Sequence, residues 1–543
     1  MRSETARRTR SLIHGAVAAI ACTVLLPAAA QTPEQQIVND AATALGGRDR
    51  VMAVKTMLLE GAGNFVGITS LRYDDDIGFK SAIEQLRDVK RAYDLANTRG
   101  RFELTRMVEY VFYIGDAPTR TIQGLDGTVA FNINPTNQNA TPAPGNQGSG
   151  RRLEYLRHPL TLVRAALGPE AKLSNGRSEG GERMVDIAIG DLAPLTLAIS
   201  ATTKLPTRIF EMVDNNLFGD TLQAIEFTDY KTANGLQLPT LFTNWQDKRE
   251  IGQIRINRTT LDGDVGNLAA PASVSATQQA GGGGGAGRGG GGRGGLTPPG
   301  NPAQELAKGL WRVTGTTHHS LIIEFNDHLM VVEANNPERV RAVWARAKEL
   351  RPNKPITQLI VTHHHFDHTG GVREAVALGV NEIITHQYNV NFITEILKRP
   401  HKINPDALAK MGTFKMPKIT AVGDSGVVKD SSMTVNLYHL LDNTHADTNL
   451  LIYFPASKIL TQVDVYMPND ARHIIEGEPL GHAPWNRNVM ENIKHRKIQV
   501  DTHAPLHGDV VPWSKFVEDT IAMTQFLPGQ APEGGGRGAG PGQ

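Results

Sequence analysis

A glycine-rich tract near the middle of the chain constrains the fold more than any other sequence feature. Twelve of the fifteen residues from 281 to 295 are glycine, and Pro298, Pro299 and Pro302 follow. A segment of this composition buries too little surface to offset the entropy lost on ordering, which predicts a flexible tether. The chain of 543 residues is also longer than one hydrophobic core usually organises. The sequence therefore predicts two domains joined by a linker over residues 273–304.

The tether sets no fixed orientation between the two predicted domains. A glycine-rich chain of about 15 to 20 residues spans roughly 20 to 25 Å, so the domains can touch, but nothing in the linker makes them do so. A domain over residues 305–528 has about 220 residues, which is enough for a core of its own. We therefore expect this domain to fold and react without the N-terminal half.

The N-terminus has the pattern of an export signal. Arg7 and Arg8 precede a mostly apolar run over residues 12–26, and small residues end at Ala30. This pattern predicts a signal peptide over residues 1–30, cleaved near Ala30, and hence a periplasmic or secreted protein. Two less favoured alternatives are a twin-arginine signal and a lipobox at the cysteine of the apolar run.

Charge, cysteine content and hydropathy exclude several functional classes. The 56 Lys and Arg residues balance 55 Asp and Glu residues, which argues against a nucleic-acid partner. Cys22 is the single cysteine and lies in the predicted signal, so the mature chain has no thiol for a disulfide, a nucleophile or a metal. After the signal, no apolar run reaches the roughly 20 residues of an integral membrane segment. A second glycine-rich stretch predicts a disordered tail over residues 529–543.

Residues 33–272 are predicted to form an α+β domain dominated by an antiparallel sheet. Helices are predicted over residues 36–45, which Gly46 and Gly47 close, and over residues 160–167. Apolar and β-branched runs separated by turn residues, several at hairpin spacing, predict the strands. These runs cover residues 57–59, 108–114, 184–189, 207–213, 222–227, 241–245 and 251–256.

Part of this domain resembles the periplasmic lipoprotein-carrier (LolA-like) class. The resemblance lies in segments over residues 200–207, 227–231 and 234–239. It implies a curved sheet that holds a lipid-like ligand. A structural sheet domain that binds nothing is an equal alternative.

The C-terminal half carries the residues for chemistry, including sixteen of the eighteen histidines. A strand is predicted over residues 356–361, and the sequence His363-x-His365-x-Asp367-His368 follows it. Alternate residues of an extended loop point the same way. The first two histidines can therefore bind one cation, while the aspartate and the last histidine turn toward a second. Imidazoles with carboxylates suit Zn²⁺, with Mn²⁺ or Fe²⁺ as alternatives.

This motif and three later segments resemble the metallo-β-lactamase fold superfamily over nearly all of residues 305–528. In chain order the segments supply His445 before an apolar run, Asp464 at a strand end and His507 near the domain end. The resemblance implies an α/β domain, built as an αββα sandwich, with seven metal ligands. The first metal would be bound by His363, His365 and His445, the second by Asp367, His368 and His507, and both by Asp464.

The resemblance also implies a hydrolase with two Zn²⁺ ions per chain. Zinc lowers the pKa of bound water from about 15.7 to about 7. A hydroxide between the ions would then attack a small-molecule substrate, with Asp367 or Asp464 handling the proton. The carboxylate at position 464 favours an ester, lactone, thioester or amide as substrate. β-Lactam cleavage, a one-iron sulfur oxidase on the same fold and a non-enzymatic lipid or ligand carrier are the alternatives.

Other histidines of this half have less specific interpretations. We expect His364 to support its neighbours or to be exposed. His318 and His319 are expected on a loop that faces the site, where they contact substrate or serve as polar surface. His386 ends a predicted strand and is a candidate for the mouth of the site.

Two further features bear on the surroundings of the site. Glu333 stands where the family commonly has aspartate, a departure that bears on loop orientation rather than metal binding. Residues 398–406 combine cationic and rigid positions, which indicates either a lid or a solvated helical connection.

Overall fold

The computed structural model describes residues 31–66, 83–108, 118–144, 147–274, 303–315, 317–443, 445–468 and 483–524. The predicted signal peptide, most of the predicted linker and the predicted tail lie outside these residues. Within the described ranges, no helix combines the length and the hydropathy needed to cross a bilayer.

The described part of the N-terminal half forms a 13-stranded antiparallel sheet. Its strands are β1 (Thr56–Val66), β2 (Ile83–Asp94), β3 (Arg99–Val108), β4 (Thr119–Asp126), β5 (Val129–Ile133), β6 (Ala140–Pro142), β7 (Ala171–Glu179), β8 (Glu182–Ile189), β9 (Leu195–Ser200), β10 (Pro206–Asn215), β11 (Gly219–Ala233), β12 (Leu236–Gln246) and β13 (Arg249–Leu261). They lie in the order β6-β5-β4-β3-β2-β1-β13-β12-β11-β10-β9-β8-β7. The run predicted over residues 108–114 falls mostly outside the described residues.

Helices pack against this sheet and complete its core. They are α1 (Pro33–Leu45), α2 (Arg48–Ala53), α3 (Gln147–Leu156) and α4 (Pro159–Ala166). Helix α1 begins at a capping box of Thr32 and Gln35 and ends at Gly46, whose φ of 130° favours glycine. Its apolar face, including Ile37, joins Leu160 of α4 in the buried core. The predicted α+β domain with an antiparallel sheet is confirmed.

Two sheets make up the described part of the C-terminal half. The first contains β14 (Ala303–Ala307), β15 (Leu310–Val313), β16 (Ser320–Glu324), β17 (Leu329–Val332), β18 (Ile356–Ile360), β19 (Glu382–His386) and β20 (Lys418–Val422), in that order. Its strands are antiparallel up to β17 and parallel from β17 to β20. The second contains β21 (Ser425–Lys429), β22 (Thr434–His439), β23 (Leu450–Phe454), β24 (Ile459–Thr461), β25 (Thr502–His503) and β26 (Val511–Pro512), also in order.

The two sheets pack face to face, and helices cover both outer faces. The helices are α5 (Pro337–Leu350), α6 (Phe366–Thr369), α7 (Val372–Ala377), α8 (Val390–Lys398), α9 (Ala407–Lys410), α10 (Ala483–His495) and α11 (Trp513–Thr524). Along β17, Met330 and Val332 join the core between the sheets, whereas Val331 packs with the helices of the outer face. Because side chains alternate along a strand, each sheet contributes to two cores. The predicted αββα sandwich is confirmed.

A hairpin of the N-terminal sheet docks on the C-terminal half. The turn between β10 and β11 carries Phe218, which is buried against Phe392 of α8 with ring centroids 6.0 Å apart. The turn ends at Gly219, whose φ of 64° lies in the left-handed region. A Cβ at this position would overlap the carbonyl oxygen of Pro400. Glycine is therefore required here both by the backbone conformation and by the close approach of the two halves.

Hydrogen bonds surround this contact. The carboxylate of Asp220 accepts backbone N–H groups of Lys402 and Ile403 at 2.9 to 3.1 Å. Arg399 donates to two carbonyl oxygens of the hairpin, at 2.6 and 2.9 Å. The two halves are therefore held together by contacts outside the linker, as the linker itself imposes none. Residues 398–406 take part in this interface, and the lid stays a prediction.

One buried histidine has no polar partner within the described part of the chain. His503 of β25 is fully buried, neither of its ring nitrogens makes a hydrogen bond, and its ring stacks on Tyr466. Burial lowers the pKa of His503 from 6.5 to about 3. The folded protein therefore keeps this ring neutral at pH values where the unfolded chain takes up a proton.

We expect the variant His503→Phe to be more stable than the wild type, most of all in acid. At pH 7 the loss of two unsatisfied ring nitrogens should raise the free energy of unfolding by about 1 kcal/mol. As the pH falls from 6.5 toward 3, the wild type should lose up to about 1.4 kcal/mol per pH unit through this residue, because the unfolded state binds the extra proton. Thermal unfolding at several pH values measures both effects, with the exposed His495→Phe as control. Parallel pH profiles for wild type and H503F would contradict this account.

Candidate metal centre

The polar residues singled out in the sequence meet at one edge of the C-terminal sandwich. The loop after β18 supplies residues 363–368, and the loop before β23 supplies His445. Asp464 follows β24 and His507 follows β25. All seven predicted residues are brought together, and all of them are buried except Asp367, which is partly exposed.

Asp464 lies at the centre of this cluster. Its Oδ2 atom is 2.8 Å from Nε2 of His368, 3.1 Å from Nε2 of His445 and 3.2 Å from Nε2 of His363. Its Oδ1 atom is 2.7 Å from Nε2 of His507. Asp464 has a φ of 64°, a costly conformation for a residue with a side chain. The surrounding structure thus holds this carboxylate where four imidazoles converge.

The donor atoms fall into two groups, in each of which all of them lie within 4.8 Å of one another. The first group is His363, His365, His445 and Asp464, and the second is His318, His368 and His507. Asp367 borders the second group, since its Oδ2 atom is 3.6 Å from Nε2 of His368. The ligand sets implied by the resemblance differ from these groups in two ways: they placed Asp367 in the second set, and they assigned His318 only to a loop facing the site.

Glu333 holds the motif loop in place. It follows β17 with a φ of 76° and is buried. Its Oε1 atom accepts hydrogen bonds from the backbone N–H and the hydroxyl of Thr362, at 3.1 and 2.7 Å. Its Oε2 atom is 2.5 Å from Nδ1 of His368. A carboxylate on Nδ1 leaves Nε2 directed into the cluster, as is usual for metal-binding histidines. The glutamate that departs from the family pattern therefore orients both the loop and a predicted ligand.

His368 differs from His363 and His365 in its pKa. Burial and the neighbouring His368 lower the pKa of His363 to about 4, and burial holds the pKa of His365 well below its ordinary value. Both rings are neutral at pH 7, the form that binds cations. Burial alone would also lower the pKa of His368, but Asp464 and Asp367 raise it well above its ordinary value. A proton on His368 must therefore leave when a cation binds there.

The residues fit metal ions. The Nε2 atoms of His363, His365, His368 and His507 are buried and, among the described residues, make no hydrogen bond of good geometry. Burial alone would raise the pKa of Asp464, yet His368 and His507 hold it well below its usual range, so this carboxylate is ionised. Unsatisfied imidazole nitrogens around an ionised carboxylate form a donor set for divalent cations such as Zn²⁺.

A cavity of about 520 Å³ adjoins Asp367 at the junction of the two halves. Leu217 and Asp214 of the docked hairpin line one side, and Phe366 is an apolar part of the other. Further lining residues are Asn335, Asn336, Glu338, Arg373, Glu374 and Asp406. The N-terminal sheet therefore contributes side chains to the cavity beside the candidate metal centre.

The other three histidines that the sequence singled out are all buried. His364 is buried rather than exposed, and its Nδ1 atom is 3.1 Å from the hydroxyl of Thr448. His386 is fully buried and stacks on His439, so it does not line the mouth. His319 is buried, and its Nδ1 atom accepts the backbone N–H of Gly315.

The fold and the site define an αββα domain with a shared carboxylate among histidines, and comparison with known families agrees. Residues 313–522 match the model of the metallo-beta-lactamase superfamily. They form a metallo-β-lactamase superfamily domain, as the sequence resemblance implied.

Individual relatives are similar over part of the chain. Linear primary-alkylsulfatase from Pseudomonas sp. (strain ATCC 19151) is 25% identical over 240 residues, which are 38% of this chain and 44% of that protein. A second linear primary-alkylsulfatase, from Pseudomonas sp., is 22% identical over 245 residues, 40% of this chain and 33% of that protein. Among solved structures, a metallo-beta-lactamase from Pontibacter korlensis has a TM-score of 0.32 at 15% identity, over 41% of this chain and 99% of that one. The matched regions cover less than half the length of the two alkylsulfatases.

Proposed function

We propose that this chain is an exported binuclear metallohydrolase that cleaves an ester, lactone, thioester or amide bond of a small molecule. The observation that carries the proposal is the position of Asp464, whose two carboxylate oxygens approach four histidine nitrogens within 3.2 Å. One carboxylate shared by two donor groups suits a pair of cations that act on one reacting centre.

Each predicted residue has a role in this proposal. When bound, the two metal ions would supply Lewis acidity and lower the pKa of water. His363, His365 and His445 would hold the first ion, Asp367, His368 and His507 the second, and Asp464 both. Asp367 is the partly exposed member of the set, with 29% of its side chain accessible. Burial alone would raise its pKa, but His368 and His318 hold it well below its usual range, so the carboxylate is ionised and can accept a hydrogen bond from an incoming water. We propose zinc because the four-donor first group suits a tetrahedral ion, with Mn²⁺ or Fe²⁺ as alternatives.

The cavity beside Asp367 supports a substrate without a strong negative charge. Asp214, Glu338 and Glu374 contribute carboxylates to its lining, and the two glutamates share a single cation, Arg341, at 2.9 Å each. The guanidinium of Arg373, also in the lining, is already engaged by Asp406 at 2.5 Å and by main-chain carbonyls. An anionic substrate would meet repulsion here that is not offset by this arginine. Neutral esters, lactones, thioesters and amides are therefore favoured.

Hydrolysis of sulfate esters is a second candidate. The observation in its favour is the similarity to two linear primary-alkylsulfatases. β-Lactam cleavage and a one-iron sulfur oxidase are less favoured. The latter would not need the complete second donor group.

We also propose the domain limits and location that the sequence indicated. The charged and apolar pattern of residues 1–30 supports export, and a mature chain that begins near Gln31 in the periplasmic or secreted fraction is the test. The domains would cover residues 33–272 and 305–528.

A cavity of about 170 Å³ in the N-terminal sheet is smaller than the roughly 300 Å³ of small ligand pockets, so a lipid-like ligand would enter it only in part.

A metal assay combined with a substrate panel tests the proposed function. We expect about two divalent ions per chain by elemental analysis, and hydrolysis that stops on chelation and returns with Zn²⁺. The panel contains a lactone, a carboxylic ester, a thioester, an anilide, a cephalosporin and a primary alkyl sulfate. We expect turnover of a neutral carbonyl substrate to exceed that of the alkyl sulfate.

Two results would overturn the main proposal. Turnover of the alkyl sulfate alone would establish the second candidate instead. One iron per chain with no second metal would exclude a binuclear hydrolase.

A further inference from the structure

One imidazole beyond the seven predicted residues faces the second donor group. His318 lies between β15 and β16, and its side chain is buried. Its Nε2 atom is 3.0 Å from Oδ2 of Asp367. Its ring centroid is 4.2 Å from that of His507 and 5.5 Å from that of His368. The ligand atoms of these three histidines lie within 4.8 Å of one another, close enough to bind one cation.

Thr317 orients two of these rings at once. The hydroxyl of Thr317 is 2.8 Å from Nδ1 of His318. The backbone carbonyl of the same residue accepts a hydrogen bond from Nδ1 of His507 at 2.7 Å. With both Nδ1 atoms engaged, both Nε2 atoms are directed toward the cluster. Such a partner on the far ring nitrogen is the usual support of a metal-binding histidine.

We propose that His318 is a further ligand of the second metal, an inference that rests on the proposed binuclear centre. The first group then offers four donors, three imidazoles and Asp464. The second offers five, namely the imidazoles of His318, His368 and His507 and the carboxylates of Asp367 and Asp464.

The two sites would therefore differ in metal preference. Four donors suit a tetrahedral ion, for which Zn²⁺ is the common choice. Five donors with a position left for water suit an ion that accepts a higher coordination number, such as Mn²⁺ or Fe²⁺. His318 would thus raise the affinity of the second site and its tolerance of such ions.

Titration of the metal-free full-length protein with Co²⁺ tests the proposal, because cobalt absorption reports coordination number as well as occupancy. In the wild type we expect two Co²⁺ ions per chain. In His318→Ala the second ion should bind roughly 10- to 100-fold more weakly, and its visible bands should gain intensity because fewer ligands surround it. The first ion should bind as in the wild type.

Matched variants separate a ligand from a structural residue. His319→Gln changes the next residue of the same loop, which is also buried but outside both donor groups, and should keep both ions with the wild-type spectrum. His318→Gln keeps a polar side chain next to Asp367, and it replaces the alanine variant if H318A does not fold. We expect H318Q to lower the affinity for the second ion as well.

The outcomes distinguish this proposal from the one on which it depends. An unchanged spectrum of the second ion in a folded His318 variant would overturn the assignment, whether or not the affinity falls. A residue that only hydrogen-bonds Asp367 can lower the affinity without changing the number of ligands. A single Co²⁺ in the wild type would instead contradict the binuclear centre. If H319Q also lost the second ion, the weaker binding would be due to a disturbed loop rather than to a missing ligand, and the assignment would again be overturned.

Discussion

The variant Asp464→Asn is expected to lose its second metal ion and to hydrolyse substrate at least about a thousandfold more slowly than the wild type. Asparagine preserves the size of the side chain but removes the charge shared by the two donor groups. It also turns one oxygen into an N–H donor, in a place where His507 and His368 approach within 2.7 and 2.8 Å. Elemental analysis and kcat/KM measured with added Zn²⁺ check this prediction, and thermal unfolding establishes that the variant folds.

Asp442→Asn is a matched control for this change. Asp442 is exposed, lies outside both donor groups and has a φ of 56°, close to the 64° of Asp464. The same chemical change at a similar backbone conformation should leave metal content and rate as in the wild type. If D464N kept two ions and a rate within about threefold of the wild type, the bridging role of Asp464 would be wrong.

Gly219→Ala should uncouple the two halves of the protein. Its methyl group would overlap the carbonyl oxygen of Pro400, and the left-handed backbone adds a cost of about 1 kcal/mol. Relief requires the hairpin to move, which exposes Phe218 and breaks the hydrogen bonds of Asp220. We expect a total loss of about 3 to 5 kcal/mol or a split of one unfolding transition into two. Differential scanning calorimetry measures either result.

Gly235→Ala separates backbone strain from the interdomain clash. Gly235 has a φ of 80°, and an added methyl group there would meet no described atom within 4 Å. This variant should lose only about 1 kcal/mol and keep its transition intact. Equal losses in the two variants would show that the hairpin contact contributes little to stability.

The same pair of variants tests the cavity beside Asp367. Leu217 and Asp214 line this cavity from the hairpin. If the cavity binds substrate, movement of the hairpin should raise KM for a neutral ester in G219A while metal content stays at the wild-type value. The control G235A should change neither quantity.

Local pattern accounts for much of what could be anticipated. Apolar and β-branched runs between turn residues predicted the strands, and Gly46 predicted the end of α1, because both signals act over a few neighbouring residues. The motif from His363 to His368 follows a buried strand, where a short loop must bring its side chains to the sheet edge. His445, Asp464 and His507 followed from resemblance in chain order, since no local rule links positions so far apart.

Only the tertiary structure shows which contacts position the histidines of the site. Thr317 orients His507 from 190 positions away in the sequence, and Glu333 reaches His368 across 35 positions. The composition of the linker indicated two independent halves, but the composition of a linker carries no information about whether the surfaces of the two domains fit together. Docking of Phe218 and Gly219 on the segment after α8 depends on shape complementarity between distant surfaces, which no periodicity in the sequence encodes.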